Sequence, residues 1–242
     1  MAAIKDEAIV LRRLDYSETS QVVQLFTRRH GPRRLIAKGI KRGTKKRFAT
    51  GIDLLERGHV VFVVKPQSDA RLATLTEWRQ ADAYLGLRSG LERLYAAQYA
   101  AEITSRMTEE GDPHPALFDA LAGLLADLAE GAAVRPGLAA YQSAVLIAAG
   151  LWPDFDRCVS CDRVAPPNRA GYFSGPQGGL VCRHCADSLP EKRLVPADVL
   201  TSLRERAWPE ATASPSFDLL NEVISHVIGQ VPRTYSRLTP RK

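Results

Sequence analysis

Four cysteines constrain this chain more tightly than any other feature. They stand at Cys158, Cys161, Cys182 and Cys185, two C-x-x-C pairs separated by twenty residues. A C-x-x-C turn sets two thiolates on one side of a tight knuckle, and two knuckles at this separation form the tetrahedral sulfur set of a zinc site. Between them, Tyr172 and Phe173 suit a short strand, the Gly- and Pro-rich residues 175–179 a turn, and Leu180 and Val181 a returning strand. The segment reads as a zinc ribbon. Four protein ligands leave no open coordination position, so the expected ion, one Zn2+, is structural. Iron–sulfur ligation also uses thiolates in fours, whereas a redox C-x-x-C does not explain a second matching pair. His184 lies inside the second pair and reads as a bystander, since its ligation would break the spacing.

Thiols reserved for metal suit a reducing compartment. The first residues, MAAIKDEAIVLRRLDYSE, lack the long apolar run of a signal peptide, and the longest uncharged apolar stretch, residues 137–153, is too short to span a bilayer. A cytoplasmic protein without membrane contact is expected.

The net charge of +6 is unevenly spread. Residues 1–50 carry 13 Lys and Arg against 4 Asp and Glu, residues 51–150 carry 8 against 13, and residues 151–242 carry 12 against 10. Ten cations fall within residues 28–47 (RRHGPRRLIAKGIKRGTKKR), with no carboxylate among them. Gly31, Pro32, Gly39 and Gly43 break this run into turns, and the interleaved Leu35, Ile36, Ala37 and Ile40 mark a strand. Cations held on short loops suit a phosphate backbone, which places a polyanion-binding surface at this end of the chain.

The periodicity around that stretch is strand-like from Ile4 to about Asp82. AIVLRRLDY, QVVQLFTRR, RRLIAKGI, HVVFVVK and LATLTEW give five short strands. Five strands in about 80 residues suggest a small barrel, with an OB-like barrel leading and an SH3-like barrel reading nearly the same. Phe26 and Phe62 are expected in the core, and Tyr16 and Phe48, in turn or loop positions, are placed to stack on bases. From Gly86 the period becomes helical. One helix runs through LRSGLERLYAAQYAAEI, a second from about Pro113 to Gly131, and a third, nearly uncharged, from about Arg135 to Ala149. Two more follow, from Pro196 to Ala207 and from Ser216 to Val231, with residues 208–215 as a loop. The expected fold is multidomain α+β: an N-terminal OB-like β barrel (1–82), an α-helical domain (83–150 and 195–242), and an inserted four-cysteine zinc ribbon (151–194).

No chemistry of catalysis accompanies this frame. GIKRGTKK imitates a phosphate-binding loop but places Gly39 and Gly43 too close together, with Thr44 where the second glycine belongs. HExxH, GxSxG and GxGxxG are absent, and the five histidines lie in different segments. The protein reads as a non-enzyme.

AIVLRRLDYSETSQVVQLFTRRHG followed by AKGIKR, with the helix start LYAAQYAAEI and the order of barrel, helices and four-cysteine ribbon, resembles the RecO family of bacterial recombination mediators. The resemblance runs over essentially the whole chain. It implies a nucleoid-associated DNA repair protein that binds single- and double-stranded DNA and anneals complementary strands. It also implies work with RecR and single-stranded-DNA-binding protein in loading RecA. DNA contact carries over onto the basic loop: Arg33, Arg34, Lys38, Lys41, Arg42, Lys45, Lys46 and Arg47. Two other classes fit the residues alone, an RNA-binding or translation-associated factor and a protein adaptor without DNA binding. Matched DNA and RNA strands separate the first, and an annealing assay the second.

Overall fold

Alternating strands in the N-terminal third must bury one face each, and they do so by closing on themselves. The computed structural model describes residues 3–40, 52–64 and 72–239. Within them the chain packs as two units, Met1–Gly131 and Ala132–Lys242.

In the first unit, β1 (Ala3–Asp15), β2 (Gln21–Thr27), β3 (Gly31–Ala37), β4 (Arg57–Val63) and β5 (Ala73–Asp82) form a closed barrel in the order β1-β2-β3-β5-β4. All pairings are antiparallel except β3 with β5, which is parallel. One long strand serves two neighbours: Ala3 to Ile9 pair with β4, and Ala8 to Asp15 pair with β2. A register shift between Val10 and Arg12 bends β1 there and re-aims the residues beyond it. Ala8, Val10, Val23, Leu25, Leu35, Ala37, Val60, Phe62, Leu75 and Trp78 fill the interior. Their alternation along each strand is the two-residue period of the pleat.

Ile9 and Phe26 are also fully buried, although neither belongs to that interior cluster. They lie on the outer face of β1 and β2, paired with each other. That face is covered by helices, α1 (Leu91–Met107) and α2 (Pro115–Glu130), with the Phe26 and Phe118 rings 5.9 Å apart. The small residues Ala96, Ala97, Ala100 and Ala101 make one buried side of α1 and let it approach its neighbours closely. Gly131 ends α2 in the left-handed conformation at φ 99°, its N–H donating to Leu128 O. The turn between β2 and β3 docks on the segment after α1: the Gly111 N–H donates to Pro32 O at 3.0 Å. At Gly31, φ is +66° and a Cβ would fall 2.1 Å from Asp112 O, so only glycine fits.

In the second unit, α3 (Val134–Ala148) packs against α6 (Glu210–Ile228), burying Leu138, Val145 and Leu146 on one and Phe217, Leu220 and Ile224 on the other. The Arg135 guanidinium sits 4.7 Å from the centre of the Phe217 ring. A three-stranded sheet, ordered β7-β6-β8, is built from β6 (Gly171–Ser174), β7 (Gly179–Val181) and β8 (Arg193–Val195). Short helices α4 (Arg183–Ala186) and α7 (Tyr235–Leu238), with α5 (Ala197–Glu205), complete it.

Two expectations change. The helices expected as one domain divide in packing, α1 and α2 with the barrel and the rest with the cysteine segment. The reason is the apolar outer face of β1 and β2, which needs a cover. The loop expected at residues 208–215 is helical from Glu210, with Pro215 inside α6. Proline there removes one backbone donor, but Thr212, Ala213 and Ser216 are buried around it, and Thr212 Oγ1 shares a 2.6 Å hydrogen bond with Ser202 Oγ. Tertiary packing outweighs the local breaker.

Candidate nucleic-acid interface and metal centre

The residues between α3 and α5 bring the four cysteines together. The first pair sits in a turn closed by hydrogen bonds from Cys158 N–H to Arg163 O and from Asp162 N–H to Cys158 O. The second pair opens α4, with Cys182 as its N-cap. β7 joins them, since the Val159 N–H donates to Leu180 O at 2.8 Å. The four Sγ atoms all lie within 4.8 Å of one another. Cys161 Sγ and Cys182 Sγ are 3.8 Å apart, and a tetrahedron with metal–sulfur bonds near 2.3 Å has an edge of about 3.8 Å. His184 is not part of the cluster.

Electrostatics prepares these sulfurs for a cation. Burial pushes the Cys158 thiol up, but hydrogen bonds from the N–H groups of Cys182, Ser160 and Cys161 outweigh it and bring it down to about 6. The Cys185 N–H likewise lowers Cys182. Cys185, hydrogen-bonded to Cys182 and Cys161 beside this gathering charge, is pushed up to about 12. Several thiolates at this spacing repel one another unless a metal ion neutralises them, so the four residues can hold one.

The basic stretch divides into two chemically distinct sets. Arg28 donates to Asp119 at 2.8 Å and pairs with Glu7 at 3.7 Å. Arg29 donates to the buried Asp6 from its backbone N–H at 3.0 Å and from Nε at 3.3 Å. Asp6 Oδ2 also lies 2.6 Å from His30 Nδ1. Burial disfavours the Asp6 charge, but the hydrogen bonds from His30, Arg29 and Glu7 overcome it and hold the carboxyl below its ordinary value. Arg33 turns back to His30 O at 3.1 Å. These cations serve the fold of the first unit.

Arg34 and Lys38 are exposed, and among the described residues their side chains form no ion pair. Arg34 is the cross-strand partner of Gln24 on β2, and Gln24 is the partner of Arg12 on β1. Directly opposed residues share a face, so Arg12, Gln24 and Arg34 form one row across three strands. Gln24 Oε1 accepts from Ser105 Oγ of α1 at 3.0 Å and Glu110 Oε1 accepts from the Arg34 N–H at 3.4 Å, so the row runs along the margin of the helix-covered face. Arg12 is exposed, and its place follows from the register shift after Val10, which sequence periodicity does not reveal. Tyr16, 66% exposed, and Leu14, 49% exposed, rise at the end of the same strand. Of the other expected contacts, Lys41, Arg42, Lys45, Lys46 and Arg47 lie outside the described residues, as does Phe48. Among the described residues no helix is long and apolar enough to cross a membrane.

The chain matches known proteins over most of its length. The family model described as Recombination protein O N terminal matches residues 1–84, and the one described as Recombination protein O C terminal matches residues 88–232. A protein named DNA repair protein RecO from Rhodopirellula baltica is 35% identical over 260 residues, covering 93% of this chain and 95% of its own length. Its namesake from Myxococcus xanthus is 31% identical over 236 residues, covering 95% and 94%. That from Halalkalibacterium halodurans is 31% identical over 200 residues, covering 83% and 76%.

Proposed function

This chain belongs to the RecO family, and on that premise we propose that it is a DNA repair and recombination mediator acting in the cytoplasm on the nucleoid. It binds single- and double-stranded DNA, anneals complementary strands, and works with RecR and single-stranded-DNA-binding protein to help load RecA. It is not an enzyme. The observation that carries the DNA reading is the pair of exposed cations Arg12 and Arg34, which flank Gln24 at the margin of the helix-covered face, with exposed Lys38 beside them and Tyr16 after the end of β1. Cations fixed on a strand pair screen phosphate repulsion without reading sequence, and exposed aromatic rings accept any base. Strand annealing requires that tolerance, since the two polyanions differ in sequence from case to case. The four cysteines hold one structural Zn2+, a reading supported by the all-sulfur donor set and its tetrahedral edge.

The test is a salt titration of single-stranded oligonucleotide binding, followed by fluorescence anisotropy. Replacing Lys38, Lys41 and Arg42 together by alanine, or Arg12 and Arg34 together, is expected to weaken binding for every sequence. The slope of log K against log salt is expected to fall by about 0.7 for each phosphate that the variant no longer neutralises. Wild-type affinity and slope in both variants would refute the assignment. A matched RNA strand run beside the DNA decides between the two nucleic acids, and faster pairing of complementary strands in the presence of the protein decides against a pure adaptor.

A further inference from the structure

The cysteine segment has a second feature, a cleft of about 440 Å³ beside the sulfur cluster. Arg163, Arg169, Arg183 and Arg204 line it, and no Asp or Glu does. The side chains of Arg163, Arg169 and Arg183 are exposed and form no hydrogen bond or ion pair with described residues. Arg204 differs from them. Its Nε donates to Phe155 O at 2.8 Å and faces Asp156 at 3.3 Å, while its Nη2 is buried without a hydrogen-bond partner. Arg204 is thus held by the fold with one guanidinium nitrogen unpartnered, and its charge adds to that of the three exposed arginines on the cleft wall. The remaining wall is apolar and includes the half-buried Tyr172 and the exposed Val164, which is 60% accessible.

We propose that this cleft receives one nucleotide of a second nucleic-acid strand, the phosphate on the arginines and the base against Tyr172 and Val164. The proposal rests on the DNA-binding reading above and extends it to the second unit. Guanidinium forks match the oxygens of a phosphate in pairs, and an aromatic face beside them suits a base of any identity. Annealing by this protein needs a place for the incoming strand that is separate from the row on the barrel. An acidic peptide offers carboxylates to the same arginines, but it has no flat ring obligatorily linked to each anion.

A single-stranded oligonucleotide carrying 5-iododeoxyuridine, irradiated with the full-length protein, tests this. The expected result is an adduct on Tyr172, located by mass spectrometry, whose yield falls at least tenfold in the R163A/R169A double variant. Both replaced residues are exposed, so the variant is expected to fold, and an unchanged circular dichroism spectrum and metal content verify that it does. Adducts confined to Leu14, Tyr16 and their neighbours, with none on Tyr172, overturn the cleft assignment and leave the barrel reading standing. Adducts nowhere, together with no change in anisotropy, overturn both. Protection of Tyr172 by an acidic peptide but not by unlabelled strand assigns the cleft to a protein partner and overturns the proposal. An adduct of equal yield in R163A/R169A overturns the role of the arginines.

Discussion

Asp6 Oδ2 and His30 Nδ1 lie 2.6 Å apart, tying the first strand of the barrel to the turn between β2 and β3. The carboxylate also accepts from the N–H groups of Glu7 and Arg29, so one buried side chain organises the front of the most basic stretch in the chain. Replacing it by asparagine keeps the shape but discards the charge that these donors face. Asp6→Asn is expected to destabilise the first unit by about 3 kcal/mol, measured by urea denaturation.

The same carboxylate sets an acid limb. Its folded pKa is below its unfolded value, which is about 3.9. The stability it contributes is therefore fully present above the unfolded value and is lost as pH falls through it toward the folded one. Stability measured from pH 6 down to pH 3 should fall more steeply for the wild type than for Asp6→Asn, whose curve lacks this contribution. Parallel curves would show that Asp6 is not the group responsible.

Gly31 stands where the β2–β3 turn meets the backbone of Asp112. A methyl group there has no room and the backbone is left-handed. Gly31→Ala is expected to cost about 3 kcal/mol or more. Ala substitution at Gly39, which has φ +74° but nothing within 4 Å, provides the comparison. It carries the backbone strain alone, about 1 kcal/mol, and the difference in midpoint between the two variants measures the steric part.

Metal removal should act on the second unit. The purified protein is expected to contain one Zn2+ per chain by atomic absorption, and Cys161→Ser to lose most of it. With the metal chelated, the four thiols are expected to become open to alkylation by iodoacetamide, read by mass spectrometry, whereas the metal-bound form resists it. Equal alkylation with and without the chelator would contradict metal ligation by the four sulfurs.

What the sequence disclosed, and what it withheld, follows from the range over which each signal acts. The C-x-x-C spacing and the β-branched, aromatic run in HVVFVVK are local, and both became the structures they predict, a four-sulfur cluster and β4. Gly131 likewise ends its helix as its residue type suggests. Nonlocal partners were hidden. Charge counting treats Arg28, Arg29, Arg33 and Arg34 as one patch, yet the side chains of the first three turn to Asp119, Asp6 and His30 while that of Arg34 has no such partner among the described residues. Arg12 escaped notice because a bulge, which leaves no compositional mark at Val10 to Arg12, decides its direction. Phe26 is buried as expected, but against Phe118 of α2 and not in the barrel interior. Pro215 signalled a break that buried neighbours override.

The parallel pairing of β3 with β5 gives the barrel a weak seam. Among the described residues, three residue pairs, Leu35 with Ala73, Ile36 with Thr74 and Ala37 with Leu75, close it there, whereas seven pairs join β2 to β3 on the other flank. Fewer ladder hydrogen bonds on one seam mean that thermal opening of the cylinder begins along it, and slow hydrogen exchange should end at those amides before it ends elsewhere in the sheet. That seam ends at Ala37, immediately before Lys38. A strand held on the outer face of β3 would then act as a splint, and the amides of Leu35 to Ala37 would report its arrival by exchanging more slowly.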